Sequence, residues 1–222
     1  MYSILAILFV LLPFNYIFLW ISKVDIYNLE NSAVATELEK VCFHSNPKER
    51  QCQRIKKSNV ILIGMPTSGK TTIGTELSAK IGYGYIDSDS VIVARQGKSL
   101  RELIETLGNE KYLDVEAQVN SQLSASRCVI ATGGSAIYRE NAMQKLRENG
   151  TVVYLKMSYE EMARRLGDYK ARGVVLKDGF TLKDMYDERA PLYEKYADIT
   201  VELDGKTLAQ SVQAVVGALQ CK

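Results

Sequence analysis

Apolar residues fall along the chain in two distinct patterns. Ile4–Ile21 is almost continuously apolar, broken only at Pro13 and Asn15. Its 18 positions are just enough to span a bilayer as a helix. Tyr16 and Trp20 lie near its distal end, at the depth where amphipathic rings favour a membrane interface. The run lacks the basic start and small-residue cleavage site of a secretory signal. It predicts a membrane anchor over residues 1–22. The stretch 23–57 is mixed and polar, with a short helical pattern at Glu37–Lys40 broken by Asn46-Pro47. It reads as a linker or stalk.

From Asn59 the pattern changes. Val60-Ile61-Leu62-Ile63 is the β-branched run of a strand buried on both faces. Tyr85-Ile86, Cys128–Ala131, Val152–Leu155 and Ile199–Val201 repeat it. Helical patterns lie between and after them, at Lys70–Ile81, Leu100–Leu107, Glu110–Leu123 and Leu208–Leu219. Strands alternating with helices predict an α/β domain over residues 58–222, with right-handed crossovers. Ligands of such sheets bind at the carboxyl ends of the strands.

Charge adds an exclusion. Lys+Arg number 28 and Asp+Glu 26, and no basic stripe of the kind nucleic acids require is present. The single histidine, His44, lies outside the α/β domain. Ser-His-Asp hydrolysis, Cys-His catalysis and histidine-rich zinc sites are therefore excluded there.

The chemistry-bearing residues sit where the strands end. Gly64-x4-Gly69-Lys70-Thr71 follows a strand and opens a helix, which is the setting a P-loop requires. Its backbone, from Gly64 through Pro66, Thr67, Ser68 and Gly69 to Thr72, curls so that its free N–H groups face phosphate oxygens at a helix N-terminus. Lys70 reaches the β- and γ-phosphates of ATP, and the Thr71 hydroxyl ligates Mg2+. Asp87-Ser88-Asp89 follows the second strand. In an extended segment both carboxylates point to one side, into the nucleotide crevice. One can hold Mg2+ through water, and the other can take a proton from a substrate hydroxyl. Gly133-Gly134 after the third strand permits close backbone approach to a ligand. Arg164-Arg165 and Arg172, among Gly167, Gly173 and Gly179, have the look of a mobile lid. A lid arginine can stabilise charge on a transferred phosphoryl group.

Taken together, these motifs resemble the shikimate kinase family over roughly residues 58–220. The matches are Gly64-Met65-x-x-Ser68-Gly69-Lys70-Thr71-Thr72-x-Gly74, Asp87-Ser88-Asp89, Gly133-Gly134, Val152–Leu155 and Glu188-Arg189-Ala190-Pro191-Leu192-Tyr193. The resemblance implies a P-loop kinase with a five-stranded parallel sheet in the order 2-3-1-4-5, flanked by helices and covered by a lid. It implies ATP-dependent phosphorylation of a ring hydroxyl on shikimate, in aromatic amino acid biosynthesis, by a monomer acting in the cytoplasm. Asp87 would stand behind the metal at Thr71. Asp89 would be the base, with Lys70 and Arg172 as its catalytic partners. Gly133 and Gly134 would contact substrate and γ-phosphate. Arg189 would pair with the substrate carboxylate, and Arg165 would pack on the adenine.

Three positions depart from the family pattern. Counting back three from Glu116, Leu113 stands where the family has its second carboxylate-binding arginine. Ser135 replaces the third glycine of Gly-Gly-Gly. The lid's Arg-Pro-Leu-Leu reads Arg172-Gly173-Val174-Val175. All three are on the acceptor side of the crevice. They leave a different hydroxy acid or polyol as an alternative acceptor. The apolar N-terminus leaves a second alternative, a membrane-tethered nucleotide-binding regulator without turnover.

Overall fold

Alternate residues of Asn59–Ile63 (β1) face opposite ways, and each face is buried by its own layer of helices. The computed structural model describes residues 58–166, 174–177 and 179–221. In it β1 is the centre of a five-stranded parallel sheet, flanked by Gly84–Asp87 (β2), Cys128–Ala131 (β3), Gly150–Lys156 (β4) and Ile199–Glu202 (β5). The order β2-β3-β1-β4-β5 is the one the resemblance implied. Register pairs Ile61 with Ile130 on one side and with Val152 on the other.

Val60 and Leu62 pack on Ile73 and Leu77 of Lys70–Ile81 (α1). The same cluster holds Val212 and Val215 of the closing helix Leu208–Gln220 (α7). Ile61 and Ile63 face the other layer. There they meet Met143 and Leu146 of Glu140–Asn149 (α4) and Tyr193 and Tyr196 of Leu182–Tyr196 (α6). A third cluster lies off the sheet, under the acceptor side of the crevice. It joins Ile92 of Ser88–Gln96 (α2) to Leu103, Tyr112, Leu113 and Val119 of Leu100–Gln122 (α3), and to Val175. The remaining helix, α5, runs Tyr159–Leu166. The helix α3 is in effect two, as the sequence pattern expected. Gly108 is non-helical (φ 76°, ψ 166°), a conformation open to glycine.

One expectation is corrected. Asp87 and Asp89 do not share a strand. Asp87 closes β2 and is the N-cap of α2, and its side chain accepts the N–H groups of Asp89 and Ser90. An Asp at a strand end satisfies those free donors better than further extension would. Asp89 therefore sits in the first helical turn. The helix α2 itself was not foreseen.

Residues 1–57, which carry the expected anchor and stalk, lie outside the described residues. So do Gly167, Arg172 and Gly173 of the expected lid. Among the described residues, no helix is long and apolar enough to cross a membrane.

Candidate active site

The carboxyl ends of β1, β2 and β3 open on one crevice of about 680 Å3. Pro66, Thr67, Gly69, Lys70, Thr71, Thr72, Asp87, Asp89, Gly133, Gly134, Arg165 and Arg189 all line it. The expected site residues that lie within the described segments thus converge, apart from Gly64 and Ser68. Those two are buried beneath the loop, where they shape it.

The P-loop conformation follows from its residues. Gly64 has φ 152°, and a side chain there would press within 2.7 Å of the Leu155 carbonyl oxygen. Gly69 (φ 85°) turns the chain into α1 as its N-cap. The Lys70 ammonium folds back over the loop. It donates to the carbonyls of Gly64 (2.8 Å) and Met65 (2.9 Å). Burial pulls its pKa down to about 8, with Arg189 adding to the shift, while Asp89, Asp87 and Glu116 oppose it. A poorly hydrated cation held by neutral carbonyls is well placed to exchange them for phosphate oxygens.

Beside it the Thr71 hydroxyl donates to Asp87 Oδ2 at 3.0 Å, and the Tyr85 hydroxyl donates to the same oxygen at 3.3 Å. The other Asp87 oxygen caps α2. Asp87 is thereby held in one orientation by four donors. Hydroxyl and carboxylate side by side are the oxygen donors that Mg2+ prefers, and Mg2+ usually keeps water and phosphate as its other ligands. The pair fits such an ion.

Asp89 lies deeper. Its Oδ1 is buried and has no protein hydrogen-bond partner. Burial and the neighbouring Asp87 raise its pKa to about 6, against the pull of Lys70. An ordinary aspartate is a poor base near neutral pH, and this shift brings it close to the range where general bases work. Gly133 shows how tightly the region is packed. A Cβ at that position would come within 2.1 Å of Glu116 Oε1 and 2.8 Å of Asp89 Oδ1. Gly133→Ala must therefore displace both carboxylates. It is expected to destabilise the fold by about 1–3 kcal/mol and to lower turnover more than it lowers ATP affinity. Thermal melts alongside steady-state kinetics check this.

On the acceptor side Arg189 is the largest fully buried side chain among the described residues, only 1% exposed. Its guanidinium donates to the Tyr138 hydroxyl (3.1 Å), the Gly134 carbonyl (3.3 Å) and the Val175 carbonyl (2.5 Å). Tyr193, one turn on in α6, donates to the same Gly134 carbonyl at 2.6 Å. The Gly133-Gly134 loop is thus tied to α6 by two side chains. Arg165, at the end of α5, is held by Glu161 and reaches the crevice from the nucleotide end.

Several contributors escaped the sequence reading. Glu116 is 1% exposed and accepts the Ser135 hydroxyl at 2.7 Å, while its other oxygen has no protein partner. Burial raises its pKa to about 7, with Asp89 adding to the shift. A signal for it existed. Tyr112, Leu113, Ala117 and Val119 mark the inner stripe of α3, and Glu116 falls on that stripe. The Ser135 departure now has a physical role as Glu116's partner. Leu113 is buried in the third cluster, and its side chain walls a small cavity beside the crevice rather than the crevice itself. Tyr138, which holds Arg189, carried no sequence signal.

Comparison with known proteins agrees with this geometry. The family model for shikimate kinase matches residues 66–220. A shikimate kinase of Paracidovorax citrulli is 36% identical over 169 residues, covering 73% of this chain and 92% of its own. One from Chromohalobacter salexigens is 38% identical over 149 residues, covering 65% and 82%. Among solved structures, the shikimate kinase of Acinetobacter baumannii in complex with shikimate superposes with a TM-score of 0.69. It is 28% identical and covers 74% of this chain and 94% of that one. The shikimate kinase of Aquifex aeolicus gives 0.64 at 29% identity, covering 73% and 96%. With its sheet order, its P-loop and these relatives, the chain belongs to the shikimate kinase family.

Proposed function

We propose that the chain transfers the γ-phosphoryl group of ATP to a ring hydroxyl of shikimate. The observation that carries this reading is the placement of Asp89. It is a raised-pKa carboxylate, electrostatically coupled to the P-loop lysine, in the crevice that Arg189 closes from the other side.

Each residue then has a task. Lys70 leaves the Gly64 and Met65 carbonyls for the β- and γ-phosphates, and the P-loop N–H groups hold the remaining oxygens. Thr71 would hold Mg2+, with Asp87 behind it through water, and the ion would neutralise charge on the phosphate oxygens. Arg165 packs on the adenine. The Gly133 and Gly134 backbone lies against acceptor and γ-phosphate. Arg189 pairs with the acceptor carboxylate and sets the ring so that one hydroxyl meets Asp89. Asp89 accepts that hydroxyl's proton as the oxygen bonds to the γ-phosphorus and the bond from that phosphorus to the bridging oxygen breaks, with ADP leaving. Arg172 is assigned the lid's charge-stabilising role on the resemblance alone.

The test is release of ADP, followed with a coupled assay on the full chain, across shikimate, quinate and sugar acids. Shikimate is expected to be turned over fastest. Faster turnover of another acid would move the proposal to that acceptor. No turnover with any acceptor, in a protein that still binds ATP, would favour a nucleotide-binding regulator.

The pH dependence has a definite sign. Asp89 must be ionised to take a proton, so kcat/KM for the acceptor rises with pH through about 6. Lys70 must be charged to capture phosphate, so kcat/KM for ATP, which reports the nucleotide-free protein, falls above about 8. A profile measured from pH 5 to 9.5 checks both limbs.

A further inference from the structure

Among the described residues, the acceptor side has one buried guanidinium, Arg189, and a buried acid, Glu116, that weighs on it electrostatically. An anionic acceptor entering there meets Asp89 and Glu116 as well. One arginine, already donating to three protein acceptors, is a thin counterweight. Leu113 adds no charge.

A second cation nevertheless stands beside Leu113. Lys177 and Leu113 line the same small cavity, together with Tyr138, Val175 and Glu188. Tyr138 carries both cations on its ring. The Arg189 guanidinium carbon is 5.1 Å from the ring centroid and Lys177 Nζ is 5.7 Å from it. The backbone that presents Lys177 is clamped at two successive residues. The Val175 carbonyl accepts from Arg189 Nη2, and the Leu176 carbonyl accepts from Asn109 Nδ2 at 2.9 Å. The side chain is about half exposed (51%), rests in an ion pair with Glu188 Oε1 and lies over the Tyr138 and Phe180 rings. Glu110 is the other carboxylate acting on it.

We propose that Lys177 supplies the second positive charge to the acceptor's carboxylate, from the wall of the small cavity it shares with Leu113 and in place of a cation at position 113. The proposal rests on the reading of the acceptor as a carboxylate. In the free protein Glu188 occupies the ammonium. With acceptor bound, the flexible lysine exchanges that carboxylate for the substrate's, next to Arg189. Trading one half-exposed ion pair for another costs little, and a lysine can follow the ligand where a buried arginine cannot. Lys177 is a specificity-determining residue here and takes no part in the proton or phosphoryl transfer.

The test compares Lys177→Met with the parent chain, using shikimate and its neutral analogue with a hydroxymethyl group in place of the carboxylate. The expected result is a roughly ten-fold higher KM for shikimate, with KM for ATP, kcat and KM for the neutral analogue all within about two-fold. Lys177→Arg should retain most of the parent's affinity. An unchanged KM for shikimate in Lys177→Met overturns the proposal. So does an equal loss for the charged and neutral acceptors, which would mark the residue as structural. Absence of shikimate turnover in the parent chain would instead refute the function on which the proposal rests.

Discussion

Asp89→Asn is expected to lower kcat by about 10^2- to 10^4-fold, the contribution typical of a positioned general base, while ATP affinity changes by no more than about three-fold. The substitution keeps the shape and removes only the ability to take a proton. Asp89 makes no hydrogen bond to the P-loop, whose lysine is held by Gly64 and Met65. Its loss reaches donor binding through two opposed effects, less support for the charge on Lys70 and less negative charge near the phosphates, so the change in affinity stays small. The same variant should lose the rise in kcat/KM through pH 6, since the group responsible for that limb no longer titrates. Coupled ADP release gives the rate, and calorimetric titration with ATP gives the affinity. A variant that turned over within about three-fold of the parent would show that a different group accepts the proton, and the buried Glu116 would be the next candidate.

The donor half of this site was legible in the sequence because its chemistry is local. Six residues between Gly64 and Thr71 bring their own backbone shape, and the strand before and helix after them can be read from hydrophobic runs. The sheet order was legible only through the resemblance, since parallel strands pair across long crossovers that no local pattern records. Asp87 and Asp89 were found for their chemistry, and Asp87 does close β2, but Asp89 was placed on an extended segment and lies in the first turn of α2. A short Asp-Ser-Asp segment is equally compatible with an extended strand and with a helix cap, and only the unsatisfied N–H groups of α2 decide between them.

The acceptor half was less legible because it is assembled from afar. Arg189 is held by Tyr138, Gly134 and Val175, which lie 51, 55 and 14 residues away in sequence. Ser135 looked like a lost glycine and proves to be the hydroxyl that holds Glu116. Leu113 was read as a lost charge from its position alone, and its packing in the third cluster and the lysine that lines the same small cavity were not visible. In each case the residue type was visible and its partner was not.

Under the proposed function Arg189 serves both stability and acceptor recognition, and its replacement separates the two. Arg189→Met keeps most of the apolar stem and removes every donor. The Gly134 carbonyl keeps its bond from Tyr193, whereas the Val175 carbonyl loses the partner shown here. One buried acceptor left without a partner costs about 1–3 kcal/mol, which for a domain of this size lowers Tm by roughly 2–12 °C. Glu116 also loses a stabilising positive neighbour, so its pKa rises further and it stays neutral over more of the physiological range. Arg189→Lys keeps the charge but not the fork. A single ammonium cannot reach Tyr138, Gly134 and Val175 together and still offer paired N–H groups to a carboxylate. The lysine variant is therefore expected to recover part of the lost Tm and little of the lost function, with kcat/KM for shikimate down about 10^2-fold or more, the loss expected of one to two charge-assisted hydrogen bonds. ATP affinity should stay near the parent value in both variants, because the P-loop does not lean on Arg189. Thermal melts, ATP titration and kinetics on the two variants give the three readouts. If lysine restored acceptor kcat/KM to within about three-fold of the parent, recognition would depend on charge alone, and the buried fork would be there for the fold.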